Sequence, residues 1–235
     1  MSKPTILRIM RSKLVALVLV SPCLADSVAE IPLGIEVVTG YRSSYIQRGF
    51  ELGNDLIDIQ AEAEIALTDH WILNLGGNHG SGENEFSENA GFLALRYETD
   101  TWSAGIATTG RDFTNAIFRD GLEVVPGLTW HLSSDWDLAA EFAYDAGDGG
   151  WYSSIEAAWS KPLGESSFLS ACAGSSCTAD YYGSDGWHDA YGRLSWTYVF
   201  NRSVSITPFV GTSIPTSSGP TANQGFAGLW FEVNF

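Results

Sequence analysis

The chain has 235 residues, 45% hydrophobic and 13% aromatic, with 12 Lys and Arg against 28 Asp and Glu for a formal net charge of −16. A polyanion of this kind repels nucleic acid, and no basic patch with interleaved aromatics is present, so nucleic-acid binding is excluded. Beyond residue 25 no apolar run approaches the roughly 20 residues of a membrane-spanning helix, and the Gly-, Ser- and aromatic-rich composition fits one all-β unit without linker, repeat or low-complexity tract.

Residues 1–25 read as an export signal. Lys3, Arg8, Arg11 and Lys13 precede the apolar run Leu14 to Val20, and Cys23-Leu24-Ala25 ends in a small residue of the kind signal peptidase prefers. The run is too short to anchor the chain as a helix, and Pro22 stands where a lipoprotein box has a small residue, which argues against acylation of Cys23. Cleavage after Ala25 leaves a domain 26–235 with eight bases against 28 acids. Such a surface attracts cations, including divalent ions shared with anionic lipid head groups, or serves plain solubility.

The first two elements of the domain carry the architecture. In Asp55 to Leu67, Ile57, Ile59, Ala61, Ala63, Ile65 and Leu67 alternate with Asp58, Gln60, Glu62 and Glu64. Alternate side chains of a strand point to opposite faces, so one face is wholly apolar and the other carries three carboxylates. Ordinary strands have about 5–6 residues, whereas tilted membrane-spanning strands need about 9–11. Lipid outside and water inside demand this pattern, and it predicts an all-β fold: a transmembrane antiparallel up-and-down β-barrel. A soluble lipocalin-like barrel is the alternative, but its apolar face points inward. With Leu52-Gly53-Asn54 as the turn, Arg42 falls opposite Glu64, Ser44 opposite Glu62 and Arg48 opposite Asp58, all facing the lumen as ion-pair or hydrogen-bond partners, with Gly49 easing a bulge.

The pattern recurs near 33–51, 55–67, 71–79, 90–98, 101–111, 119–131, 136–145, 151–160, 167–174, 189–200, 203–213 and 225–235, about twelve strands with bounds good to two to four residues. An even number closes an antiparallel barrel with both termini on one side. Connectors after even strands are tight, as in Thr68 to His70 and Asn201-Arg202, and those after odd strands tend to be longer, as in Gly80 to Asn89 and Ser175 to His188. Short turns belong to the periplasmic side, so the termini are expected there. Trp71, Tyr97, Trp102, Trp130, Trp136, Trp159 and Phe200 crowd the short turns as a lipid head-group girdle, and Tyr45, Phe113, Tyr144, Trp151, Tyr182 and Tyr191 suit a second girdle at the other end. By the same parity Glu36, Arg96, Glu98, Glu123, Asp137, Glu141, Glu156, Arg193 and Glu232 join Arg42, Arg48, Asp58, Glu62 and Glu64 as lumen-lining candidates. Pro126 and Pro208 cannot donate ladder bonds and predict bulges or local breaks.

Catalytic and metal chemistry find little footing. His70 and His131 lie at short turns, while His79 and His188 lie near longer loops with Asp185 and Asp189 close to His188, and a loop His beside Asp is more often solvated than catalytic. No His, Cys and carboxylate set has metal-ligand spacing, and no cofactor motif occurs. Cys172 and Cys177, the cysteines left after cleavage, form a candidate disulfide in an oxidising periplasm, provided that the strand ends between them.

The last strand places Ala227, Leu229, Phe231, Val233 and Phe235 on one face and Gly228, Trp230, Glu232 and Asn234 on the other, ending on the aromatic. It resembles the C-terminal signature of bacterial outer-membrane barrels, which implies recognition of Phe235 by the barrel-assembly machinery. Ser44-Tyr45-Ile46-Gln47-Arg48-Gly49 resembles the Ser-(Asp)-Tyr-Val-Phe-Arg-Gly stretch of the Gcw_chp conserved hypothetical family, with Gln47 in place of the usual aromatic and no Asp after Ser44. That resemblance implies an outer-membrane barrel, with outer-membrane lipid as partner, and no established reaction. The functions in play are a small cation-preferring pore or transport barrel, a plugged structural or adhesive barrel with ligand-binding loops, and, third, an outer-membrane hydrolase.

Overall fold

A computed structural model describes residues 33–216 and 223–235. The expected signal segment 1–25 lies outside the described residues. The strands are β1 (Leu33–Gln47), β2 (Phe50–Ala66), β3 (Trp71–Ser81), β4 (Ser87–Glu98), β5 (Trp102–Thr114), β6 (Gly121–His131), β7 (Trp136–Asp145), β8 (Trp151–Pro162), β9 (Ser167–Tyr181), β10 (Ser184–Asn201), β11 (Val204–Pro215) and β12 (Gln224–Asn234). Each pairs antiparallel with its sequence neighbours, and β1 pairs with β12, from Glu36 opposite Asn234 to Arg42 opposite Gly228, closing the barrel. Closure leaves no unpaired sheet edge, the condition a sheet must meet to stand in lipid.

The barrel is inside out relative to a soluble protein. On β2 Ile57 is 63% exposed and Ile59 51%, whereas Asp58 is 8% and Glu62 5%. The same outward apolar face continues through Leu75, Leu93, Ile106, Phe142, Ile155, Leu194, Val210 and Leu229, a belt far beyond the few hundred Å² tolerated on a water-soluble surface. That placement removes the lipocalin-like alternative. Trp71, Trp102, Trp130 and Trp136 are exposed on the exterior beside the short turns, with Trp102 opposite Trp130 and Trp136 opposite Trp159. Tyr97 sits between Trp71 and Trp102, its ring centroid 5.1 and 5.5 Å from theirs. We call this end the turn rim and the opposite end the loop rim.

Several local expectations need correction. The β1–β2 turn is Arg48-Gly49, with φ of 50° and 78°, and not Leu52 to Asn54. Two consecutive positive φ values give the twist that suits a two-residue hairpin, and Gly49 supplies the second without strain. Arg42 consequently lies opposite Leu56, Ser44 opposite Asn54 and Glu64 opposite Gly34. The shift is even, so the inward set is unchanged. Strands β9 and β10 run on to a two-residue turn, Tyr182-Gly183, where a loop from Ser175 to His188 was expected. Connections after β1 and β9 are therefore as tight as those at the turn rim.

Cys172 and Cys177 are free. They stand on one continuous strand, five positions apart and on opposite faces, so about 3.3 Å of rise per residue places them beyond disulfide reach. Pro126 and Pro208 lie within unbroken strands. Beside each, the ladder lapses on one side: Val125 and Pro126 have no paired partner on β7, nor Thr207 and Pro208 on β10. The expected second girdle is only partial. Tyr144 and Trp151 pack together on the exterior at 4.8 Å, but Tyr45 is buried inside, Phe113 and Tyr182 pack against the interior cluster, and Tyr191 lines a lumen cavity.

Candidate functional site

The interior of the loop rim is occupied by the tip of the β1–β2 hairpin. Tyr45, Phe50, Leu52 and Leu56 cluster inside with Phe86, Phe118, Ala143, Tyr152 and Tyr181. Phe118 meets Phe50 edge-on at 5.5 Å and stacks on Tyr182 at 4.3 Å. Tyr182 in turn donates its hydroxyl to Asp145 at 2.9 Å and receives the Arg119 N–H at 3.2 Å, which ties the β5–β6 and β9–β10 connections over the cluster.

Arg48 extends from the tip across the ring. One guanidinium nitrogen donates to Glu123 on β6 at 2.8 Å and to Glu141 on β7 at 3.3 Å, and the cation lies 4.7 Å from the Tyr152 ring on β8. In the closed order β7 stands opposite β1, so these contacts span the lumen. The tip is also latched through its backbone. His188, 0% exposed, faces the Arg48 carbonyl with Nε2 at 2.9 Å and Ser184 Oγ with Nδ1 at 2.7 Å. A carbonyl only accepts, so Nε2 carries the proton and Nδ1 accepts from Ser184. Asp189 beside it receives the hydroxyls of Ser176 and of Ser213, the latter at 2.7 Å. A side chain at Gly49 would sit 2.7 Å from His188 Nε2, so the close approach of tip and latch requires glycine. The expectation of a solvated loop His is corrected: His188 is a buried strand residue with both nitrogens engaged, and no nucleophile–imidazole–carboxylate relay forms around it.

The hairpin divides the lumen. On the β2–β8 side lies a cavity of 660 Å³, and on the β8–β12 side one of 190 Å³. Arg48, Tyr152, Glu156 and Tyr191 line both, so the partition stands on these residues.

Inward charges form strand-to-strand clamps. Arg42 pairs with Asp58, and Arg96 lies 3.4 Å from both Glu64 and Glu98. Arg111 joins Glu88 at 3.4 Å to Glu123 at 2.9 Å. Asn74 donates to Glu62 at 2.7 Å and Glu64 at 3.2 Å, and Ser205 and Thr207 donate to Glu232 at 2.8 and 3.3 Å. Nearer the turn rim His131 meets Asp137 at 2.8 Å, and Glu36 stands opposite Glu62. Arg193 lies over the Trp230 ring at 5.2 Å. One oxygen each of Glu62, Glu123 and Glu156 is buried without a hydrogen-bond partner. The structure does not bring Arg48 to Asp58 or Arg42 to Glu64. Arg111, Glu88 and Asp145 escaped the sequence reading, and Asp189 entered it only as a neighbour of His188. Arg111 and Asp145, each at the last position of its expected strand, share its inward parity and were legible, as was Asp189 at the first position of its own, whereas Glu88 lies outside the expected strand 90–98.

No protein-family model matches the chain, and no curated protein sequence does. Solved structures match in fold. The KdgM porin in complex with disordered oligogalacturonate has a TM-score of 0.54 at 8% identity over 86% of this chain and 99% of that one. The NanC porin has 0.55 at 12% identity over 86% and 98%. An outer-membrane channel from Pseudomonas putida F1 has 0.52 at 12% identity over 92% and 100%. The fold is that of outer-membrane porins.

Proposed function

We propose that the chain is an outer-membrane transport barrel that admits small cationic solutes through an acid-rich lumen, with the termini and turn rim periplasmic and the crossing hairpin near the outer face. One observation carries the reading. Arg42, Arg96 and Arg111 are matched by carboxylates on nearby strands and Arg48 by Glu123 and Glu141, and Glu62, Glu156 and Glu232 remain, among the described residues, with no arginine within ion-pair distance. Low-dielectric walls focus the field of such carboxylates and enrich cations. KdgM was solved with oligogalacturonate, an acidic sugar polymer. The carboxylates of the present lumen would repel such a ligand.

Exterior Trp71, Trp102, Trp130, Trp136 and Trp159 belong to this proposal as the girdle at the lipid head groups, and Phe235 as the residue read by the barrel-assembly machinery. So does kinship with the Gcw_chp family: Ser44 to Gly49, the stretch that resembles it, is the segment that enters the lumen. A second reading, a plugged structural barrel, is favoured by a different observation, the aromatic cluster across the loop rim.

Conductance of the refolded protein in a planar bilayer tests both. A salt gradient should give a reversal potential of cation-selective sign, weakened when Glu62 and Glu64 are replaced by Gln. An anion-selective potential refutes the charge assignment, and folded protein without conductance favours the plugged barrel.

A further inference from the structure

Two carboxylates and one aromatic face converge on the Arg48 guanidinium from three strands with which β1 does not pair. This is the constellation that recognises a planar cation: carboxylate oxygens for its edge and a π face for its plane. The fit is incomplete in a particular way. Arg48 and Arg111 both donate to the same oxygen of Glu123, Oε2, at 2.8 and 2.9 Å. Glu123 Oε1 has no hydrogen-bond partner although the residue is 3% exposed, and neither has Arg48 Nη1. A fork facing Glu123 squarely would use both oxygens, but Arg48 is held off that geometry by its own backbone, fixed at positive φ and bonded through its carbonyl to His188. A free guanidinium has no such tether. The cage is also open on one side, because the Glu141 side chain is 44% exposed and Glu123, Glu141 and Tyr152 all line the 660 Å³ cavity.

We infer that Glu123, Glu141 and Tyr152 form a guanidinium-binding site which Arg48 fills as a tethered occupant, and which guanidinium-bearing solutes in the lumen contest. This deepens the cationic-solute reading by naming a substrate class, and it rests on that reading only for access to the lumen. Exchange has a structural consequence. Arg48 is the charged pin of the hairpin, so a solute that takes its place leaves the tip held by His188 and the aromatic cluster alone. The planar fork matters as well as the charge, since an ammonium is a point charge that satisfies one oxygen at a time.

Calorimetry on the folded protein in detergent micelles tests the inference without any membrane, so a barrel that fails to conduct leaves the result intact. Arg48→Asn empties the cage while turning Arg48-Gly49 into Asn-Gly, the sequence most favoured in this turn. The variant should bind ethylguanidinium about tenfold more tightly than the wild type, in keeping with the strength of charge-assisted bidentate bonds. It should bind ethylammonium more weakly than ethylguanidinium, and adding Glu123→Gln should abolish the gain. Folded Arg48→Asn protein that binds ethylguanidinium no better than the wild type, or a gain that survives Glu123→Gln, overturns the site. Should Arg48→Asn fail to fold, Arg48→Lys keeps a cation in the cage and carries the test. Its ammonium should be displaced at lower ethylguanidinium concentration than Arg48 is, and equal displacement refutes the inference.

Discussion

Ala61→Arg and Gln60→Arg, one position apart on β2, separate the two environments of this barrel more sharply than any other pair. The β2–β3 ladder runs from Ile57 to Ala66. At about 3.4 Å per residue and a tilt near 40°, that length covers roughly the 25 Å of an apolar membrane band. Ala61 lies at its centre, exposed on the outer face between Val37 and Gly77. An Arg at the midplane on the lipid face costs about 2–4 kcal/mol. Gln60 instead lines the 660 Å³ cavity, on the face that carries Asp58 and Glu62, and an added cation there should change stability by about 0.5 kcal/mol or less. With a urea dependence of about 2 kcal/mol per molar, the unfolding midpoint in lipid vesicles should fall by about 1–2 M for Ala61→Arg and hardly at all for Gln60→Arg. Equal losses from both would refute the assignment of the outer face to lipid, whatever the fold.

Two further outcomes follow from contacts described above. Arg111→Met should cost about 3 kcal/mol in the same unfolding assay, because it strands nearly buried Glu88 without its cation and leaves Glu123 with Arg48 alone; the Arg111→Met, Glu123→Gln double variant should recover part of that loss, and a double variant worse than the sum of the single ones would contradict the pairing. Cys172 and Cys177 should both alkylate in unfolded protein that has never met a reductant, read by intact mass, whereas protection of both until a thiol is added would mean that β9 is broken between them.

The strand pattern was legible because lipid on one side and water on the other force a strict alternation, as in Ile57 to Glu64. It failed where the barrel departs from that two-solvent rule. Leu52 and Leu56 share inward parity with Asp58 and Glu62 yet are apolar, because the hairpin tip packs into a dry cluster inside the lumen. Apolar residues on the polar face look like the end of a strand, which is why the turn was sought near Gly53. Strand β9 beyond Gly174 hid for another reason. Its inner positions, Ser176 and Thr178, are small and hydroxylated and its outer ones, Cys177 and Ala179, are weakly apolar, so little contrast marks the two faces. Aromatic rings defeat the pattern altogether, since an inward Tyr152 or Tyr191 and an outward Tyr144 belong to the same residue type. Arg48 was identifiable as a lumen charge by parity, but its partners on β6 and β7 follow from the inward fold of the tip, which no local sequence rule specifies.

On the proposed function, structure and permeation draw on different members of one set of charges. Arg42 and Arg111 bind carboxylates on neighbouring strands and Arg96 reaches over β3 to Glu64 on β2, so they serve barrel cohesion first and cancel part of the lumen field as a consequence. Arg48 does something different, because its carboxylates stand across the ring, so its proposed release would change the shape of the passage as well as its charge. The field that a passing ion meets is then set by acids whose donors are neutral or that keep an oxygen free, such as Glu62 with Asn74 and Glu232 with Ser205. Neutral donors hold a carboxylate in place without cancelling its charge. A lumen built this way keeps its orientation and its negative charge together, and under the proposed exchange the tethered guanidinium at the hairpin tip is the element through which a cation of matching shape would alter the width of the path.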